Sequence, residues 1–315
     1  MRIIVSGASG FVGRHLMPRL AALGHQAVPL ARRDAASNAA QKGRLHAPAD
    51  LASLDPDGLT GERGFDVALH LAALNPDRRD RASSEPGTLL RANRDGTRAF
   101  ARAAANAGVR HFIYLSTANV HGPQPTAIRE DSPVQPASAY ARSKAEGEDA
   151  ARAVTQATGM GLTILRPAPV YGAGGRGMVA ALQRLAQTAA PIPMPTGLRP
   201  RSVVSVASLV AAILAVIERE GADGAAYLVA DETPHTPREI VAGIRRGLGR
   251  RPLIVPVPAW AVTLATKPLG LAKTLENFQK PFVLDWQRLA ADTTWRPEGD
   301  TIAAMLRDAG DRTGH

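Results

Sequence analysis

The chain has 315 residues, enough for one large domain or two modest ones around a substantial core. It contains no cysteine, which excludes disulfides, thiolate metal sites and a cysteine nucleophile. Its net charge of +10 comes almost wholly from arginine scattered along the sequence. That charge fits an anionic partner, and equally an alanine- and arginine-rich genome. Aromatics make up only 4% of the chain and do not interleave with basic clusters, so no nucleic-acid platform is expected. There is no apolar run of about 18 residues, so no membrane span is expected. The most apolar late stretch, residues 252–271, is expected to form a buried strand and helix. The short run Ile3-Ile4-Val5 leads straight into a glycine turn and is no signal peptide, which makes the cytoplasm the expected compartment.

In chain order, residues 2–6 read as an apolar strand opening into Gly7-Ala8-Ser9-Gly10-Phe11-Val12-Gly13. A helix follows through Leu23, closed by Gly24. Further strands are expected at 26–30, 67–72, 111–116 and 162–165, with helices at 93–106 and 138–158. This alternation predicts an α/β fold: a Rossmann-type doubly wound parallel sheet with a smaller, interleaved C-terminal substrate-binding domain. The expected boundaries are 1–170 for the dinucleotide domain, with 205–230 returning to it, and 171–204 plus 231–315 for the substrate domain.

Gly7, Gly10 and Gly13 stand at a strand-to-helix turn. There a helix N-terminus offers unpaired N–H groups and partial positive charge to a pyrophosphate, and small residues let the backbone approach it. The second strand leads into Leu30-Ala31-Arg32-Arg33. Ala31 occupies the place of an acid that would take the ribose hydroxyls, while Arg32 and Arg33 suit a 2′-phosphate, so NADP is favoured over NAD. Tyr140 and Lys144 are four residues apart on the predicted helix, and so share a face. A lysine ammonium beside the phenol is expected to lower the Tyr140 pKa and fit it for proton exchange.

These pieces and several others occur in one order along nearly the whole sequence. They include His70-Leu71-Ala72-Ala73, Asn93-Arg94-Asp95-Gly96-Thr97, Ser116-Thr117, Arg166-Pro167, Val170-Tyr171-Gly172 and Arg201-Ser202-Val203-Val204. In this the chain resembles the extended short-chain dehydrogenase/reductases of the nucleotide-sugar epimerase/dehydratase family. The resemblance implies that Thr117 bonds the reacting sugar oxygen, Tyr140 is the acid or base, and Lys144 holds the nicotinamide ribose. It implies a cofactor site of Gly7, Ser9, Gly10, Phe11, Val12, Gly13, Asp50, Leu51, Leu71, Ala72, Ala73, Asn93, Ser116 and Pro167, besides the two arginines and the catalytic pair. Arg201 would grip the diphosphate of a nucleoside-diphosphate sugar, UDP-linked for preference, and Met178 stands where relatives often place an asparagine near the nucleotide. No metal is implied, and a homodimer through the helices of Asn93 and Tyr140 is, with the alanine-rich face of 99–107 permitting close approach.

Ala118-Asn119 follow Thr117 where sugar 4,6-dehydratases carry an Asp-Glu pair, which argues against dehydration. Hydride transfer at sugar C4 is the first expectation, either by a 4-keto-6-deoxyhexosamine reductase of surface-polysaccharide synthesis or by a UDP-sugar 4-epimerase. A non-sugar carbonyl substrate and a non-catalytic NADP-binding sensor are the competing readings. Arg201 speaks against the first of these, the Thr117/Tyr140/Lys144 set against the second.

Overall fold

The computed structural model describes residues 1–32, 45–61, 64–76, 82–175, 177–219, 224–266 and 278–310. The chain divides into two compact units: unit 1 comprises 1–120, 134–166 and 210–227, and unit 2 comprises 121–133, 167–209 and 228–315. Residues 121–133, expected within the first domain, group with unit 2.

Seven strands form the main sheet: β1 (Arg2–Ser6), β2 (Gln26–Arg32), β3 (Leu45–Ala47), β4 (Val67–His70), β5 (His111–Leu115), β6 (Gly161–Pro167) and β10 (Ala226–Val229). Their order is β10-β6-β5-β4-β1-β2-β3. β1 pairs in parallel with both β2 and β4, and the parallel register continues from β4 to β5 and from β5 to β6. The order therefore reverses between β1 and β4, and a crevice opens beyond the carboxyl ends of those two strands, where ligands bind in open α/β sheets. Buried apolar runs such as Ile3-Ile4-Val5 and Ala68-Leu69 explain why the strands lie inside, covered on both faces.

The helices of unit 1 follow their local signals. α1 (Phe11–Ala22) starts at Gly10. α2 (Pro86–Leu90) has proline in its first turn and runs through a π-turn at Arg91–Asp95 into α3 (Gly96–Asn106), so the helix expected at 93–106 begins earlier and is widened at Asn93. α4 (Ala139–Thr158) is capped by the Ser138 hydroxyl, which accepts from the Ala141 N–H, and ends at Gly159 with φ of 73°. Ala101, Ala103, Ala104 and Ala107, expected on an intersubunit face, instead lie in the core of their own chain with Phe100 and Phe112.

Unit 2 carries the short strands β7 (Val170–Tyr171), β8 (Ile192–Pro195), β9 (Val204–Ser205) and β11 (Ile254–Val257), and the helices α5 (Met178–Ala186), α7 (Pro237–Gly247) and α8 (Ala259–Thr266), while most of α6 (Val206–Glu218) belongs to unit 1. Its core gathers Tyr171, Val179, Ile192, Val203, Ile240, Ile244 and Met305. Within the stretch expected to be a buried strand and helix, β11 is followed by α8, but Leu253, Val255, Trp260 and Leu264 are exposed, and 267–271 lie outside the described residues. β11 pairs only with β8 among the described strands; its Ile254 packs against the core of unit 2 while Val255 stays exposed. No helix among the described residues is long and apolar enough to cross a membrane.

Candidate active site

The glycine turn follows β1 at the reversal point. A Cβ on Gly7, whose φ is 77°, would stand 2.5 Å from the Ala72 nitrogen, and one on Gly13 would stand 2.5 Å from the Ala8 and Gly7 carbonyl oxygens. Those two positions admit only glycine, and they bring the loop after β4 and the first turn of α1 against the turn. Ser9 and Gly10 are exposed, Phe11 and Val12 half-buried. α1 has no side-chain cap and no acidic residue in its first turn. Its leading N–H groups thus face outward without a competing anion, which fits the pyrophosphate of a dinucleotide.

Around this turn a buried chain of hydrogen bonds orders the neighbouring loops. The Ser6 hydroxyl lies 2.5 Å from His70 Nδ1, and His70 Nε2 lies 3.0 Å from Thr97 Oγ1. Thr97 in turn donates to the Asn93 carbonyl at 2.6 Å. Burial, then the nearby Lys144 charge, pushes His70 down to about 3, so it is a neutral spacer. The Asn93 amide accepts from the Leu74 N–H, donates to the Leu74 carbonyl and donates to Ser143 Oγ, at 2.8, 2.9 and 2.9 Å. Ser143 donates onward to the Tyr140 carbonyl at 2.8 Å. Asn93 therefore ties the loop carrying Leu71, Ala72 and Ala73 to the turn of α4 that bears Tyr140. Ser143 was not singled out in the sequence, although its place between Tyr140 and Lys144 was the available signal.

Tyr140 and Lys144 sit one turn apart on α4 as the spacing requires. Lys144 is buried; its ammonium donates to the Leu115 carbonyl at 2.7 Å and lies 4.2 Å from the centre of the Tyr114 ring. That bond joins α4 to the end of β5, two residues before Thr117. Thr117 is buried, and its Oγ1 accepts from the Asn119 N–H at 3.2 Å. Burial pulls Lys144 down to about 7, with Glu148 opposing the fall. Burial also pushes the half-buried Tyr140 up to about 12. The expected lowering of the tyrosine by the lysine is thus not found: the ammonium is turned to a carbonyl and an aromatic face, and desolvation dominates the phenol.

Behind the pair lies Glu148, four residues beyond Lys144 on the same stripe of α4. It accepts from Ser116 Oγ at 2.6 Å and from Arg166 Nε and Nη2 at 2.9 and 2.6 Å. Ser116 thereby braces the β5 end rather than facing outward. Glu148 escaped the sequence reading, although its spacing of four from Lys144 could have marked it.

The remaining expected residues are placed as follows. Asp50 caps the short turn Leu51–Ser53 by accepting from the Ala52 N–H, and pairs with Arg91 at 2.5 Å. Arg32 ends β2, while Arg33 lies outside the described residues. Pro167 ends β6 and is buried. In unit 2, Met178 opens α5 and packs against that unit's core. Arg201 spreads its guanidinium 5.2 and 5.0 Å from the Phe278 and Phe282 ring centres and reaches the Lys280 carbonyl at 3.4 Å. Burial lowers it to about 10, which still leaves it cationic at neutral pH. The two phenylalanines near this guanidinium carried no signal in the sequence.

Known proteins resemble this chain along most of its length. The UDP-glucose 4-epimerase of Vibrio cholerae is 28% identical over 301 residues, covering 94% of this chain and 90% of that protein. The ceramide reductase of Caulobacter vibrioides is 28% identical over 308 residues, covering 96% and 87%. A crystal structure of a UDP-galactose 4-epimerase superposes with a TM-score of 0.74 at 26% identity, over 99% of each chain. Residues 3–230, which hold the glycine turn, Thr117 and the Tyr140–Lys144 helix, match the NAD dependent epimerase/dehydratase family, and the protein belongs to that family.

Proposed function

We propose that this enzyme transfers hydride at C4 of a nucleoside-diphosphate sugar, reducing a 4-keto-(6-deoxy)-hexosamine, for preference UDP-linked. The observation that carries the reading is the bond from Lys144 Nζ to the Leu115 carbonyl, which draws the Tyr140 turn of α4 to the strand end that leads to Thr117. A bound nicotinamide would supply the hydride. Gly7, Ser9, Gly10, Phe11, Val12 and Gly13 would hold its pyrophosphate, and Lys144 its ribose. Arg32 at the end of β2 and Arg33 next in sequence, with Ala31 in place of an acid, support NADP over NAD. Thr117 would donate a hydrogen bond to the sugar 4-oxygen, and Tyr140 would deliver the proton to it. The protonated phenol would supply that proton to the ketone oxygen as hydride arrives at C4. Arg201, its guanidinium near the Phe278 and Phe282 rings, would present its planar fork to the diphosphate.

A second reading is UDP-sugar 4-epimerisation, supported by the length over which the Vibrio cholerae epimerase matches. The two part in one experiment. Purified protein is incubated with UDP-, GDP- and dTDP-sugars and their 4-keto forms, with and without NADPH. Stoichiometric NADPH loss on a 4-keto sugar supports the reductase; interconversion of UDP-sugars without added cofactor supports the epimerase. A long-chain keto-sphingoid arm is included because of the Caulobacter relative, and turnover confined to it would overturn both. Tyr140→Phe is expected to cut turnover about 10²- to 10⁴-fold while leaving NADPH binding intact. Unchanged turnover in that variant would remove Tyr140 from the mechanism.

A further inference from the structure

We propose that β11 and α8 of unit 2 form a docking surface for an anionic lipid bilayer. Trp260 and Leu264 are 71% and 67% exposed and lie one turn apart on α8. They therefore share a face of that helix. Leu253 and Val255, immediately before and within β11, are 47% and 48% exposed, and Leu248 is exposed as well. β11 and α8 are joined by Pro258 alone, so Val255 lies within about 17 Å of Trp260 along even a fully extended chain. The region lies beyond the residues that match the family, which end at 230.

The backbone beneath this surface is firmly held. Arg245 is fully buried and donates to the carbonyls of Thr188, Ala190 and Leu253 at 2.7, 2.6 and 3.2 Å. β11 is in parallel register with β8 from Ile254 to Val257. The exposed apolar side chains thus stand on an ordered platform.

Charge decides what that platform meets. Residues 240–266 contain no Asp or Glu but four Arg, of which Arg245 is buried, in a chain that carries 28 acids over 315 positions. Arg246, Arg250 and Arg251 are exposed among the apolar residues, Arg250 also bonding the Gln187 carbonyl. A second copy of this chain would bring like charges together, and polar nucleic acid offers nothing to Leu264 or Val255. An anionic membrane satisfies both components: phosphate headgroups pair with guanidinium groups, and indole and leucyl side chains enter the headgroup–acyl boundary. The contact is peripheral, and it does not depend on which carbonyl the active site reduces.

Sedimentation with phosphatidylcholine vesicles, with and without about one-third phosphatidylglycerol, tests this on the full chain. Wild type should pellet with the anionic vesicles, weakly with the neutral ones, and release at high salt. Its tryptophan emission should shift to the blue on binding, and W260F should lose that shift. R246Q/R251Q should lower partitioning roughly 25-fold, about five-fold for each charge, and W260S/L264S should abolish it. Circular dichroism and NADPH binding of these surface variants should match wild type. Wild type remaining in the supernatant with anionic vesicles overturns the proposal, as does equal partitioning of wild type and both double variants. Concentration-dependent dimerisation that W260S/L264S abolishes, without vesicle binding, would assign the surface to a second copy and also overturn it.

Discussion

Among the described residues each unit buries one carboxylate, and the two are handled in opposite ways. Glu148 in unit 1 is 2% exposed and Asp231 in unit 2 is 1% exposed, so desolvation acts on both to raise the pKa. At Glu148 the Arg166 guanidinium, bonded through two nitrogens, outweighs burial together with Ser116 and Arg152, and the carboxylate stays below its ordinary range. At Asp231 the partners are neutral. Tyr171 and Thr301 donate to Oδ2 at 2.7 and 3.3 Å, and the Ser205 N–H donates to Oδ1 at 3.1 Å. Burial wins there and pushes Asp231 up to about 7. At Asp231 three neutral donors do not offset desolvation, whereas at Glu148 the Arg166 charge does.

The strongest way to break this contrast is to neutralise Glu148. Glu148→Gln keeps the shape but leaves the Arg166 charge buried without a counter-charge, and should cost about 3–5 kcal/mol in denaturant unfolding. The double variant Glu148→Leu/Arg166→Met should recover most of that loss, because it removes both desolvated charges. A small loss in the single variant would mean that hydrogen bonding alone holds this pair.

At Asp231 the expected signature is pH dependence. The folded pKa is raised from 3.8 to about 7, so between those values the folded state holds a proton that the unfolded chain has released. Stability is then greatest at low pH and declines as pH rises toward 7. From pH 5 to pH 8 this group should account for a loss of about 2.5 kcal/mol. Asp231→Asn, compared with wild type across that range, should flatten the slope. An unchanged slope would place the titration elsewhere.

A third test disturbs unit 1 without touching charge. A Cβ at Gly147 would fall 2.4 Å from the Tyr114 hydroxyl and 2.5 Å from the Asn93 carbonyl. Gly147→Ala should therefore cost about 1–3 kcal/mol. It should also slow turnover, since Asn93 and Ser143 set the Tyr140 turn. Full activity with lowered stability would separate packing of α4 from positioning of the tyrosine.

How much of this was legible follows from the range of each interaction. The alternating elements, the glycine turn and the Tyr140–Lys144 pair depend on local spacing, and the sequence shows them directly. The lysine's effect on the tyrosine did not follow, because its direction depends on a carbonyl 29 residues away and on the burial of both groups. The Asp231 cluster joins residues 26 to 70 positions apart from several elements, and no local pattern announces it. The error over residues 252–271 has another origin. Composition measures how apolar a segment is, but only the neighbours a fold supplies decide whether it is covered. Ile254 finds that cover against the core of unit 2, whereas Val255, Trp260 and Leu264 do not.

The smallest expected effect probes the weakest donor to Asp231. Thr301 Oγ1 lies 3.3 Å from Oδ2, longer than the 2.7 Å of Tyr171, so it contributes the lesser share of holding the carboxylate. Thr301→Val preserves the side-chain volume and removes the donor. Because that hydrogen bond lowers the Asp231 pKa, its loss should shift the titration upward, extending the decline of stability to higher pH. The accompanying loss should be about 0.5–1.5 kcal/mol above the midpoint, where the unprotonated form needs the donor, and smaller below it. Paired denaturation curves at pH 5 and pH 8 give both quantities. An equal loss at the two pH values would show that Thr301 acts through packing at the start of its helix, and that Tyr171 and the Ser205 N–H alone set the titration.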